Sequence, residues 1–179
     1  QWTLQNAPQI NGDPSRVAVA GESAGGNLAI NISIRARNEG SPLPVHQLLV
    51  YPVAGNDLNT PSYLANTAAV PLGRAAMIWF AEYTVRTPED MADPRINLLA
   101  ANLQGLPPTT IIAAQIDPLL SEGERLAELL RTAGVPVERR QWDGVTHEFF
   151  GMAAVVPKAQ ETVQFAGQRL RQAFGRSAK

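Results

Sequence analysis

The stretch Val17-Ala18-Val19-Ala20-Gly21-Glu22-Ser23-Ala24-Gly25-Gly26-Asn27-Leu28-Ala29-Ile30 decides how the rest of the chain is read. Val17 to Ala20 is a short apolar run without alternation, the pattern of a strand buried on both faces. From Ala24 to Arg37 the apolar residues Leu28, Ala29, Ile30, Ile32 and Ile34 lie almost all round a helix, which predicts a central, buried element ended by Asn38 to Gly40. Between the two stands Gly21-Glu22-Ser23-Ala24-Gly25, a G-x-S-x-G sequence in the strand, sharp turn and helix context that presents a serine hydroxyl at a strand end. Glycines are needed two positions either side of the serine, where side chains would collide with the neighbouring strand and helix. Small Ala24 and the extra Gly26 ease that crowding further.

Upstream, a polar lead-in with helical character around Trp2 to Gln5 ends in the turn Asn11-Gly12-Asp13-Pro14. Downstream, Val45 to Val50 repeats the short apolar strand, at a spacing that favours parallel pairing through a right-handed crossover. The segment from Ala54 to Asn102 reads as loops around one amphipathic stretch, Arg74 to Val85, and forms an excursion above the sheet. A third strand at Thr110 to Ala114 leads into a helix from Leu119 to Thr132, stopped by Gly134 with Pro136 beyond. A fourth strand at Val137 to Trp142 and a last helix at Pro157 to Phe174 complete a βαβαβα order. That order demands an α/β fold, a mostly parallel sheet with helices on both faces.

Composition narrows the function classes. With 45% apolar and 17% charged residues, the 179-residue chain has the makings of one compact domain. Fifteen basic and sixteen acidic residues nearly cancel, and no basic run carries interleaved aromatics, so nothing marks a nucleic-acid or anionic-membrane partner. The expected partner is a small, largely uncharged molecule. The chain has no cysteine and two histidines, which removes thiolate chemistry and makes a metal site improbable; no cofactor is expected. No stretch approaches the roughly 18 apolar residues that span a bilayer, and Gln1 to Gln9 lacks the pattern of a signal peptide, so a soluble, cytoplasmic protein is expected.

A serine hydroxyl is a weak nucleophile at neutral pH and needs a base within reach and a third group to orient that base. His46 precedes the second strand, whereas sites in parallel sheets gather beyond the carboxyl ends of strands. His147 follows the fourth strand and is placed correctly. Asp117, just past the third strand, is the leading acid; with Pro118 behind it, it also reads as a helix cap, and one carboxylate oxygen suffices for each task. Ser121 with Glu124 resembles a capping box. Glu122 and Glu124 are rival acids inside the following helix, Asp143 with Gly144 reads as a turn, and Glu22 as a structural residue of the elbow.

Gly21-Glu22-Ser23-Ala24-Gly25-Gly26-Asn27-Leu28, Asp117-Pro118-Leu119 and His147-Glu148-Phe149-Phe150 together resemble the hormone-sensitive-lipase-like esterases, the bacterial acetyl-esterase branch especially. Asp13-Pro14-Ser15-Arg16-Val17, Asp93-Pro94-Arg95, Leu106-Pro107-Pro108 and Ala133-Gly134-Val135-Pro136-Val137 extend the similarity essentially end to end. The chain order Ser, Asp, His is that of α/β-hydrolases. Departures are Ser121 where relatives often have Asp, Asn97-Leu98 where Ser-Pro is usual, and Glu148 where Gly is common.

The resemblance implies the C-terminal half of an α/β-hydrolase fold over residues 1–179, with 54–102 as part of a cap. Ser23, Asp117 and His147 would be the catalytic triad, the Ala24 backbone N–H an oxyanion-hole donor, and Trp79, Phe80, Tyr83 and Phe150 candidate substrate contacts. The His-Gly-Gly-Gly stretch that completes the hole in relatives does not occur here. The implied activity is hydrolysis of short-chain carboxylic esters; a catalytically silent module and an amidase or peptidase on the same triad stay open as alternatives. The apolar strand near Val17 would then be a sheet edge, open to pairing with a second copy or with further chain.

Overall fold

The computed structural model describes residues 1–175. In chain order these form α1 (Trp2–Asn6), a 3₁₀ turn (Ala7–Ile10), β1 (Val19–Glu22), α2 (Ala24–Asn38), β2 (Gln47–Val50), α3 (Pro61–Ala65) and α4 (Arg74–Thr84). Short 3₁₀ turns at Pro88–Ala92 and Leu98–Ala100 precede β3 (Thr109–Ile116), α5 (Leu120–Thr132), β4 (Val137–Thr146), a further 3₁₀ turn (Phe149–Met152) and α6 (Pro157–Ala173). The described strands make one parallel sheet in the order β1-β2-β3-β4.

Alternation along the two central strands divides the core. Leu49 and Ile111 point to one face, where they meet Ala29 and Ile30 of α2 and Leu126, Ala127 and Leu130 of α5. Leu48, Val50, Ile112 and Ala114 point to the other, against Trp142, Phe149 and the α6 residues Ala159 and Ala166. β2 and most of β3 are therefore buried on both sides, which is why they read as continuous apolar runs. Above the carboxyl ends of the strands, Tyr63, Leu72, Met77 and Leu119 form a smaller cluster that seats α3 and α4 on the start of α5.

Four expectations are corrected. β1 is not buried on both faces: it is an edge strand with alternating exposure, and it begins two residues later than the apolar run. α2 is not enclosed either, since Leu28 and Ile32 are 65% and 53% exposed on the side away from β2. An all-round apolar helix reports what could be buried, and among the described residues nothing covers that side. Asp143-Gly144 does not end the fourth strand; it lies inside β4 at a register shift, where Gly144 takes φ +69° and its N–H donates to Gln115 Oε1 at 2.7 Å. Ser121 makes no capping box, because its hydroxyl accepts from the Ser62 N–H while Ser62 Oγ accepts from the Ser121 N–H, joining α3 to α5.

Candidate active site

β1 delivers Ser23 one residue past its last paired position, Glu22 opposite Val50. Ser23 sits at φ 54° and ψ −122°, a region that a side chain with Cβ rarely occupies, and strain of this kind is of order 1–3 kcal/mol. Neighbouring backbone holds it there: the Ser23 N–H donates to Val50 O at 2.9 Å, and Ser23 O accepts from the N–H groups of Val53 at 3.1 Å and Gly26 at 3.0 Å. The flanking glycines divide the labour unequally. A Cβ on Gly21 would lie 2.0 Å from the Gly25 carbonyl oxygen, and one on Gly26 2.8 Å from the Pro52 Cβ, whereas a Cβ on Gly25 would meet nothing within 4 Å. Gly25 is therefore crowded through its backbone, and the steric need for missing side chains falls on Gly21 and Gly26.

β3 and β4 deliver the other two groups to the same rim. Asp117 follows β3 directly, and His147 follows β4. Ser23 Oγ lies 3.0 Å from His147 Nε2, and His147 Nδ1 lies 2.7 Å from Asp117 Oδ2. An ionised carboxylate only accepts, so Asp117 fixes the proton on Nδ1 and leaves the Nε2 lone pair to accept the serine hydroxyl. Asp117 and His147 are buried and Ser23 is partly open to solvent. The remaining Asp117 oxygen, Oδ1, accepts from the Leu119 N–H at 2.8 Å, so the carboxylate both turns the chain toward α5 and orients the imidazole.

A family profile described as the alpha/beta hydrolase fold matches residues 1–151. The chain belongs to the α/β-hydrolase fold family. It is 40% identical over 165 residues to the carboxylesterase NlhH of Mycobacterium tuberculosis, covering 90% of this chain and 52% of that one. It is 30% identical over 175 residues to the ethyl acetate hydrolase of Pseudomonas putida, covering 96% and 55%. Among solved structures, the thermophilic carboxylesterase EstE1, cloned from a metagenomic library, superposes with a TM-score of 0.92 at 34% identity, over 97% of this chain and 60% of that one. The chain thus spans about half the length of the relatives it matches.

Other residues singled out in the sequence take different places in the fold. His46 is buried at the opposite end of β2, with Nε2 2.9 Å from Thr110 Oγ1, and burial pushes its pKa down to about 4. Glu122 is fully enclosed, and its Oε1 accepts from the Ala54 N–H at 2.7 Å; it ties the loop after β2 to α5. Burial, with the charge of Asp117 adding to it against the opposing N–H, pushes its pKa up to about 7. Glu124 is exposed, and Asp143 accepts from Gln141 Nε2 at 2.8 Å. Along α4 Trp79 meets Phe80 edge-on and Tyr83 at a tilt, with centroids 5.3 and 4.8 Å apart, and the three stay 54%, 49% and 75% exposed. Phe150 packs at the margin of the α6-side core. Ala24 opens α2, so its N–H lacks an intrahelical acceptor and is available at the elbow. Among the described residues no three His, Asp or Glu side chains converge as metal ligands would.

Asn27, Asn31 and Tyr51 were not legible as site residues. Asn27 Nδ2 donates to Val53 O and Ile96 O at 3.1 Å each, and Asn31 Nδ2 to Arg95 O at 2.9 Å, so α2 carries the polar hooks that fasten the 54–102 segment. The positional signal for Tyr51 was available: Ser23, Tyr51, Asp117 and His147 are the residues that directly follow β1, β2, β3 and β4. Glu148 takes φ +70°, the left-handed region that favours glycine.

Proposed function

We propose that this protein hydrolyses carboxylic esters of short acyl groups, with Ser23 as nucleophile, His147 as general base and acid, and Asp117 as the group that orients and charge-stabilises His147. The observation that carries this reading is the continuous relay from Ser23 Oγ to His147 Nε2 at 3.0 Å and from His147 Nδ1 to Asp117 Oδ2 at 2.7 Å. Ser23 attacks the ester carbonyl while its proton passes to Nε2, and the oxyanion is met by the Ala24 N–H. Collapse expels the alcohol, which takes the proton back from His147. Water, deprotonated by His147, then attacks the acyl-enzyme, releasing the acid and regenerating the Ser23 hydroxyl. The short-acyl preference draws on the resemblance and on the Pseudomonas relative's activity on ethyl acetate.

Residues 54–102 form a cap over the site in this reading, with Trp79 and Phe80 offering apolar surface to the substrate and Phe150 bordering the pocket beside His147. The edge strand β1 pairs with a second copy of the chain or with further chain; among the described residues nothing pairs with its outer side, and Leu28 and Ile32 beside it are exposed. Replacing Ser23 with Ala tests the assignment: hydrolysis of a chromogenic acetate or butyrate is lost, and its persistence refutes the nucleophile. A second reading is a folded but silent module, in which the Ala24 N–H alone does not stabilise the oxyanion enough for turnover; loss of a hole donor lowers turnover by about 10²–10³-fold. A fluorophosphonate probe separates the two, labelling Ser23 in the first and sparing it in the second.

A further inference from the structure

The two hydrogen bonds to His147 hold the edges of its ring, and neither resists a tilt about the line that joins them. What lies against the ring face is Tyr51, whose ring centroid is 4.3 Å from that of the imidazole at an interplanar angle of 47°. Tyr51 is buried, with Phe149 6.1 Å away, and its backbone is fixed by donation of its N–H to Ile112 O at 2.7 Å. Its phenol donates to Glu22 Oε2 at 2.9 Å, and Glu22 is the residue immediately before the nucleophile. The backbone of Tyr51 takes φ +32°, where a bulky aromatic residue is a genuine outlier. Strain of that sort persists only where the surroundings over-determine the residue, and it clusters at functional sites. A plain core aromatic needs neither the outlier backbone nor a phenol aimed at the elbow.

We infer that Tyr51 is a positioning residue: its ring braces one face of the His147 imidazole, and its hydroxyl, anchored on Glu22, ties that brace to the strand that carries Ser23. Movement of the elbow and movement of the base are thereby linked, so the Ser23 to His147 distance is held while the proton shuttles. Burial first, and the neighbouring Glu22 carboxylate next, push the phenol's pKa well up, which keeps its proton available for the anchor. The catalytic part of this inference rests on the proposed esterase activity; the brace itself does not.

The test uses Tyr51→Phe, which keeps the ring and loses the anchor, Glu22→Ala, which loses it from the other side, the double variant, and Glu22→Gln, whose amide oxygen still accepts. Loss of one positioning hydrogen bond is expected to lower kcat by roughly tenfold with KM unchanged. Both single variants should fall by the same factor, the double variant no further, and Glu22→Gln should restore most of the rate. In proton NMR of the unliganded protein, the downfield His147 Nδ1–H resonance should exchange with water faster in Tyr51→Phe and in Glu22→Ala than in the parent. Unchanged kcat and exchange in both single variants, or losses that add in the double variant, would overturn the brace. If the parent itself neither hydrolyses esters nor takes up a fluorophosphonate, the esterase reading fails, and the exchange measurement still decides on Tyr51.

Discussion

Alanine at Gly21 and alanine at Gly25 are equivalent changes to the G-x-S-x-G motif and opposite ones in the structure. The new Cβ at Gly21 would stand 2.0 Å from Gly25 O and 2.3 Å from Gly25 C, both main-chain atoms, where real Cβ contacts essentially never fall below 3.0 Å. Strand and helix must therefore part by roughly 1 Å at the elbow, and close-packed surroundings cannot absorb that by a rotamer change. Overpacking of this order destabilises by about 2–3 kcal/mol, which for a domain of this size lowers Tm by roughly 5–10 °C. A nucleophile displaced by about 1 Å also loses on the order of 10²-fold in rate. Gly25 lies in the first turn of α2 and an added Cβ would meet open space, so Gly25→Ala is expected to be neutral or to stabilise by up to about 1 kcal/mol. Urea and thermal unfolding of the two variants, with fluorophosphonate labelling of Gly21→Ala, form the assay. Equal stability of parent and Gly21→Ala, or greater damage from Gly25→Ala, refutes the steric argument.

Asp117→Asn preserves shape but cannot enforce the Nδ1–H tautomer of His147, so kcat should fall by about 10³–10⁴-fold while the fold survives, as circular dichroism and steady-state kinetics will show. Glu122 binds its proton more tightly folded, at about 7, than at its ordinary 4.5, so the stability it contributes is present below pH 4.5 and is lost as pH rises to 7. Glu122→Gln keeps an acceptor for the Ala54 N–H and removes that loss; its advantage over the parent in urea unfolding should grow between pH 4.5 and 7 by up to about 3 kcal/mol, and a constant difference contradicts it. Light scattering at micromolar concentration should show a dimer that Ala20→Lys, at an exposed position of β1, converts to monomer, and a monomeric parent rules out pairing with a second copy.

Much of the candidate site was legible because parallel α/β sheets gather strand-following residues at one rim. Ser23, Asp117 and His147 each directly follow a strand, and a sequence of alternating strands and helices brings such positions together whatever the loop lengths between them. Asp117 could be read as turn former and as candidate acid together because its two oxygens have separate partners, the Leu119 N–H and His147. Hydrophobic patterning says what is able to be buried and is silent on what covers it, so the exposure of Leu28 and Ile32 on α2 and of Trp79 and Phe80 on α4 could not be foreseen. α3 escaped notice because five residues are too few for a helical period to show, and its place is set by the Ser62–Ser121 exchange with α5. Gly144 reads as a turn glycine by composition, and only the offset between Ala114–Trp142 and Ile116–Thr146 reveals the bulge that brings His147 to the rim.

The claim that most depends on three distant residues acting as one is that His147 and Asp117 activate Ser23. Mass spectrometry after brief exposure to a fluorophosphonate probe tests it: one adduct is expected, on the peptide carrying Ser23, formed quickly in the parent and far more slowly in His147→Gln. A well-folded parent that leaves Ser23 unmodified, or a His147→Gln variant that is modified just as fast, would contradict the account.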